Sequence, residues 1–307
     1  MTKKIIILLT LIFVFSKSAS AFHLGDHTDI TRQALKEFEK CYPHIFHTEE
    51  PFFILTSDLE EDLNVVRKDL LFSHYFNPDK VLPMFRKDSL ARILDLSADI
   101  KNDHNSILLY MHLGHALHHL QDMSVPAHVV PITHGLNDTF ETYNLKNKDT
   151  ELGLSCQDLE NLAQQVTSLP DLLVAAARKT LTEIDHLSVP VTRLDSKGNI
   201  NFSVPGKTFW QRADGNDFGH YGSLGEHFGE TEIRFARNVK IKVSEKFYET
   251  FKNHALKKAV IHSWIALYQF HRPLEKGNRR VLQSPDINPI SYFQTDNLRR
   301  LVQVFSL

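Results

Sequence analysis

The sequence predicts an all-α, multi-helix protein that carries one small β-hairpin or extended insertion. Three observations lead there. Apolar residues recur at helical spacing through most of the chain. The texture changes to short alternating stretches broken by Pro, Gly and Asn only over 189–204. The chain shows no internal repeat of the kind that marks a solenoid or propeller.

The 307 residues suit one or two domains and are ample for a buried core. A hydrophobic fraction of 42% and a charged fraction of 23% are those of an ordinary globular protein. With a formal net charge of −2 there is no basic field, which leans against a nucleic-acid partner. Histidine is the unusual residue: there are 18, and they crowd the region 104–134. Residues 1–21 read as a signal peptide. Lys3 and Lys4 precede an apolar run from Ile5 to Phe15, and Ser18-Ala19-Ser20-Ala21 offers a small-x-small cleavage site. The run is about half of the roughly 20 residues that span a bilayer. No later segment is long and apolar enough to do so, so no transmembrane span is expected. The expectation is an exported protein, secreted or periplasmic, beginning at Phe22. The domain then covers 22–275, and 276–307 has little periodicity and reads as a C-terminal tail. Cys41 and Cys156 could form one disulfide in an oxidising compartment or remain two buried thiols.

In chain order, the first helix carries Ile30, Ala34, Leu35 and Phe38 on one face, with Thr28 or Asp26 available as a cap. His27 stands at its start, and the free amino group of Phe22 together with the His27 ring could bind one metal. An acidic run with Glu60, Glu61 and Asp62 follows, and then His74 before the Asn77-Pro78 turn. Ser89–Asp99 is amphipathic and helical. The central helix runs from about Asn105 to Asp122. On it His118 and Asp122 are four apart and share a face. His112 and His119 point elsewhere, and His115 stands between. Gly114 weakens this helix by about 1 kcal/mol relative to alanine, which implies close approach of another backbone or of the site. Pro126 disfavours helix at Val125 and throws His128 back from a turn. An imidazole and a carboxylate on one helix face, joined by a third ligand from the next loop, are the way proteins point ligands at zinc.

Next, His134 and Asp138 are four apart, and Asp138 and Glu141 three apart. If a helix opens near Asn137, Asn137 or Asp138 caps it and Glu141 is the stronger candidate ligand. Residues 155–187 are helical with an interruption at Pro170. Residues 206–229, rich in glycine and aromatics, read equally as a loop over a site or as an irregular packing segment. Two last helices are expected over Glu230–His254 and Ala255–His271, the second stopped by Pro273.

These residues together resemble the bacterial zinc-dependent phospholipases C, which share a fold with zinc-dependent single-strand nucleases. The strongest likeness is ALHHLQDMSVPAH at 116–128, similar to that family's His-x-x-x-Asp helix and Pro-x-His turn. Glu61-Asp62 with Arg67 and SHYFNPD at 73–79 resemble a second block, FHLGDHTDIT at 22–31 the N-terminal block, and HGLNDTFE at 134–141 the fourth. The resemblance implies helices around a cluster of two or three zinc ions. By it, Asp62, His74, His118 and Asp122 would hold one ion, and Phe22 and His27 a second, with Asp122 bridging. His128 and the fourth block would hold the third; which of His134, Asp138 and Glu141 bind stays open.

This chain departs from the family in having Phe22 where tryptophan is common, in the spacing of the fourth block, and in carrying Leu63 and Leu71 where some relatives cradle choline; no added membrane-binding β-domain is expected from the short tail. The implied activity is phospholipase C: hydrolysis of phospholipid at a membrane surface, phosphatidylcholine first, to diacylglycerol and a phosphorylated head group. Zinc lowers the pKa of its water toward about 7, and Asp62 could take the proton. A zinc-dependent nuclease or nucleotidase on the same site, and an exported metal-binding protein without catalysis, are the alternatives.

Overall fold

The structure is a computed structural model that describes residues 24–46, 50–63, 74–79, 88–103, 105–133, 138–196, 198–214, 218–234 and 239–275. The expected signal peptide, Phe22, His134 and the tail 276–307 lie outside the described residues.

The helices in chain order are α1 (Leu24–Cys41), α2 (Glu50–Leu63), α3 (Ser89–Asn102), α4 (Ser106–Asp122), the single turns α5 (Pro126–Val129) and α6 (Thr139–Thr142), α7 (Cys156–Gln164), α8 (Leu169–His186) and α9 (Glu245–Glu275). The strands are β1 (Ser188–Leu194), β2 (Ile200–Pro205), β3 (Trp210–Gln211), β4 (His220–Tyr221), β5 (Glu232–Arg234) and β6 (Lys240–Val243). The protein is thus mostly helical, with a small antiparallel sheet region. Among the described residues no helix is long and apolar enough to cross a membrane.

Helix α4 is the axis of the fold, touching α1, α2, α3, α8 and α9. Its start is fixed by Asn105, whose side chain accepts from the amides of Ile107 and Leu108. Ile107, Tyr110, Leu113, Ala116, Leu117 and Leu120 are buried around it, as suits a helix surrounded by others. The close approach expected at Gly114 is present. A Cβ there would lie 2.3 Å from the Ile54 carbonyl oxygen and 2.9 Å from Ser57 Cβ, so α2 sits against the α4 backbone. Val125 is extended, as the residue before a proline prefers, and Pro126 opens α5.

Caps follow the polar residues. Asp88 caps α3, Ser155 and Asp158 form a capping box on α7, and Ser168 caps α8. Pro170 therefore does not break a long helix; it lies in the first turn of α8, where its missing N–H costs nothing. Helix α1 begins before both expected caps, so Asp26 and Thr28 are inside it. Cys41 and Cys156 form a disulfide that ties the end of α1 to the start of α7.

The hairpin β1–β2 is present and belongs to a larger sheet, ordered β2-β1-β6-β5, all antiparallel. This corrects the expected helix over Glu230–His254. Ile233, Ile241 and Val243 alternate with charged neighbours at period two, which is a strand pattern. From Glu245 a single helix continues through 254–255, where no breaker stands, and past Pro273 to Glu275. Residues 206–229 are a packing segment: Phe209, Trp210, Leu224 and Phe228 are buried, and Trp210 stacks on Phe251 of α9 at 5.4 Å.

Candidate metal centre

Five other segments bring polar groups to the C-terminal half of α4. Helix α4 supplies His118, Gln121 and Asp122, and α1 supplies His27 and Thr31. Asp58 comes from α2, His74 from the segment 74–79, His128 from α5 and Glu141 from α6. His27, His74, His118, Asp122 and His128 are fully buried, and Glu141 nearly so.

Asp122 is the hub. Its Oδ1 lies 3.5 Å from His27 Nε2. Its Oδ2 lies 2.7 Å from His74 Nδ1, 3.7 Å from His118 Nε2 and 3.9 Å from His128 Nδ1. His118 reaches the other way too, with Nδ1 3.3 Å from Asp58 Oδ1. The result is two overlapping groups with ligand atoms close enough for one ion each: His27, Asp58 and His118, and His74, His118 and Asp122. A neutral imidazole has one lone pair, so His118 serves one group at a time.

Burial alone would raise the Asp122 carboxyl, but His128, His118 and His74 around it hold it well below the usual carboxylate range. Burial, with His27 beside it, holds His118 well below the usual imidazole value despite Asp122, which leaves the ring neutral and able to donate its lone pair.

The hydrogen bonds fix which nitrogens carry protons. Gln121 Nε2 donates to Thr31 Oγ1 at 2.7 Å and to Ser263 Oγ at 3.1 Å. Its carbonyl oxygen therefore accepts from His27 Nδ1, at 2.7 Å. That turns the His27 Nε2 lone pair toward Asp122. Thr31 in turn donates to Asp58 Oδ2 at 2.7 Å and leaves Oδ1 for the cluster. His128 Nδ1 donates to the His74 carbonyl at 2.6 Å, so its Nε2 lone pair faces Glu141 Oε1 at 3.1 Å.

Two pairs of acceptors, His27 with Asp122 and His128 with Glu141, thus face each other in the interior. Lone pairs that face one another directly require a proton or a cation between them. Asp122 Oδ1 makes no hydrogen bond among the described residues. Neutral imidazoles mixed with carboxylates are the donor set of a divalent cation, and these buried residues could hold one.

Most of the expected site residues meet here: His27, His74, His118, Asp122, His128 and Glu141. Asp138 does not join them. It caps α6, accepting from the amides of Phe140 and Glu141 at 2.7 and 3.1 Å, and its second oxygen accepts from the Tyr221 hydroxyl. Asp62 lies in α2, but its side chain is outside the described set. Asp58, one turn earlier, is the carboxylate seen against His118. Sequence reading passed over Asp58 in favour of Asp62. The available signal was their four-residue separation, which puts both on one face of α2. Gln121 and Thr31 were also missed, since nothing local marks an amide or a hydroxyl as a partner of a distant histidine. His112 and His119 stand away from Asp122 as expected: His112 faces Asp103 at 3.5 Å and His119 faces Glu61 at 3.3 Å.

No protein family, curated protein or solved structure compared with this chain matches it. What the fold and site define is a mostly helical protein with a buried histidine–carboxylate cluster able to hold a metal ion.

Proposed function

We propose that this protein is an exported zinc-dependent phosphodiester hydrolase of the phospholipase C kind, with two or three zinc ions, secreted or periplasmic. Its substrate would be phospholipid at a membrane surface, phosphatidylcholine first. The observation that carries the reading is Asp122, whose two oxygens face different imidazoles, His27 on one side and His74 and His118 on the other. A buried carboxylate placed between two sets of nitrogen donors suits more than one cation. Paired cations suit a reaction in which charge builds on phosphate oxygens. The order of the four sequence blocks supports the lipid substrate, and the near-neutral charge favours it over a nucleic-acid strand.

In this scheme His74, His118 and Asp122 would hold one ion, His27 with the amino group of Phe22 a second, and His128 and Glu141 a third. When bound, zinc supplies Lewis acidity, lowering the pKa of water and withdrawing charge from phosphate oxygens. The chain does the rest. Gln121 keeps the His27 ring in one tautomer, and the His74 carbonyl does the same for His128. Lys252 donates to the carbonyls of Glu141 and Tyr143 at 2.9 and 2.8 Å, fixing the turn that presents Glu141. For the proton-accepting role expected of Asp62 we add a second candidate, Asp58. Its Oδ2 is occupied by Thr31, and its Oδ1 faces the cluster.

The test is the secreted protein, loaded with zinc and given phosphatidylcholine vesicles or single-stranded DNA. Release of diacylglycerol that stops on chelation, returns with zinc and is absent in Asp122→Asn supports the reading. Cleavage of DNA alone would replace it with a nuclease. Retention of metal with neither activity would make the protein a binding module.

A further inference from the structure

The glycine- and aromatic-rich segment 206–229 lies outside the cluster, yet it is clipped to the turn that carries Glu141. Helix α6 is that turn, and four residues are too few to hold a helix by themselves. Three side-chain bonds from the segment support it. Thr139 Oγ1 donates to the Gly225 carbonyl at 3.1 Å and accepts from the Phe228 amide at 3.1 Å. The third bond differs in where it ends: the Tyr221 hydroxyl donates to Oδ2 of Asp138, the residue that caps α6. Asp138 is buried, and its Oδ1 accepts from the amides of Phe140 and Glu141 at 2.7 and 3.1 Å.

Tyr221 is itself held in place. It pairs with Trp210 across β3 and β4. Two residues earlier, the Gly219 amide donates to the Pro131 carbonyl at 3.0 Å. A Cβ on Gly219 would lie 2.2 Å from the Val130 carbonyl oxygen, so this strand is pressed against the chain just after α5, the turn of His128. A Cβ on Gly225 would lie 2.7 Å from Tyr221 Cβ and Cδ1, so the ring is seated against that glycine. Burial, with Asp138 and Glu141 nearby, pushes the Tyr221 phenol up, and it stays a donor. The hydroxyl thus anchors a short relay. Tyr221 fixes Asp138, Asp138 holds the Glu141 amide, and Glu141 Oε1 stands 3.1 Å from His128 Nε2.

We propose that Tyr221 is a positioning residue for the ion assigned to His128 and Glu141, and that it acts through Asp138. The proposal rests on the hydrolytic scheme above and adds to it a residue from outside the four sequence blocks.

The experiment measures zinc binding to the mature protein by native mass spectrometry and chelator competition, in wild type, Tyr221→Phe, Glu141→Gln and the double variant. E141Q should lose one ion. Y221F should hold one ion about 10-fold more weakly and the others as in wild type, and adding Y221F to E141Q should change nothing further. Tyr143→Phe is the control: it removes a phenol bonded to Glu249 at 3.0 Å at the end of the same turn, and should leave every zinc affinity unchanged. Wild-type affinities in Y221F, a further loss of zinc in the double variant, or the same weakening in Y143F overturns the proposal and leaves the scheme standing. A wild-type protein without zinc, or an E141Q protein that loses no ion, overturns the scheme's ion at Glu141 and the proposal with it. Should Y221F not fold, Asp138→Ser and Asp138→Asn decide. Serine still caps the turn but leaves no atom for Tyr221, whereas asparagine can serve both. Weaker zinc in D138S than in D138N supports the relay, and equal affinities refute it.

Discussion

Gln121 makes a sharp claim about how the cluster is held, because it neither faces Asp122 nor carries a charge. Its carbonyl takes the His27 Nδ1 proton at 2.7 Å, and its amide nitrogen donates to Thr31 and Ser263 at 2.7 and 3.1 Å. Gln121→Leu keeps the length and loses all three bonds. The His27 N–H loses its Gln121 acceptor, which costs about 1–3 kcal/mol, and each lost hydroxyl contact costs about 1 kcal/mol more. Added leucine burial returns about 1 kcal/mol. The net expectation is about 3 kcal/mol of lost stability in the chelated protein, read from denaturant midpoints at constant slope. Freed from Gln121, His27 can turn its proton toward the cluster, so zinc should bind about 10–100-fold more weakly in a chelator competition. Ser263→Ala removes one bond without touching His27, and should lose about 1 kcal/mol with unchanged zinc affinity. A Q121L protein that keeps both its midpoint and its zinc would refute the claim that this amide sets the His27 tautomer.

Other consequences follow from the same geometry. Asp58→Asn should abolish hydrolysis and weaken zinc binding, read by diacylglycerol release and chelator competition; a variant that keeps both would leave the role with Asp62. Gly114→Ala puts a methyl 2.3 Å from the Ile54 carbonyl oxygen, and thermal unfolding should show a loss of at least about 3 kcal/mol as α2 is pushed off α4. Reducing the Cys41–Cys156 bridge frees a separation of 115 residues and should lower stability by about 4 kcal/mol, seen as a lower denaturant midpoint under reductant. His271 lies among Phe38, Phe46 and Phe270, and burial holds its pKa down at about 4 against 6.5. The unfolded chain therefore takes up a proton below pH 6.5 that the folded one refuses. Stability is lost as pH falls from 6.5 towards 4, by about 2 kcal/mol at pH 5 from this group. His271→Leu should remove that part of the difference between midpoints at pH 7.5 and 5.

Helix α4 was legible because everything that defines it is local: the Asn105 cap, the helical period, Gly114 and Pro126. So were His118, Asp122 and His128, whose relation is a spacing within one helix and one turn. What escaped depends on how separate segments meet. Asp58 and Asp62 share a helix face, and it is the packing of α2 on α4 through Gly114 that brings Asp58 to His118. The expected helix from Glu230 failed because charged residues between apolar ones satisfy both a helical and a strand period over a short window. Pairing with β1, far away in sequence, decides in favour of the strand. Asp138 was ambiguous for a different reason. An aspartate before a helix is chemically the same residue whether it caps or ligates, and its local amides together with Tyr221 take both oxygens.

The placement of the cluster also bears on why it must be assembled as a unit. Asp58, Asp122 and Glu141 lie in the interior with four imidazoles, and a buried charge without a partner costs several kcal/mol. Each carboxylate is met by a histidine, but the tautomers fixed by Gln121 and by the His74 carbonyl turn His27 and His128 lone-pair first toward oxygen. Hydrogen bonding therefore supports the outer side of the cluster while leaving its inner side short of positive charge. Cations bound there would satisfy donors from four helices, one on His27 of α1 and Asp122 of α4, another on His128 of α5 and Glu141 of α6. Their binding energy then adds to the folding free energy of the segments that meet on α4. The interior that makes α4 the core of the fold is in this way also what makes its last turn a site.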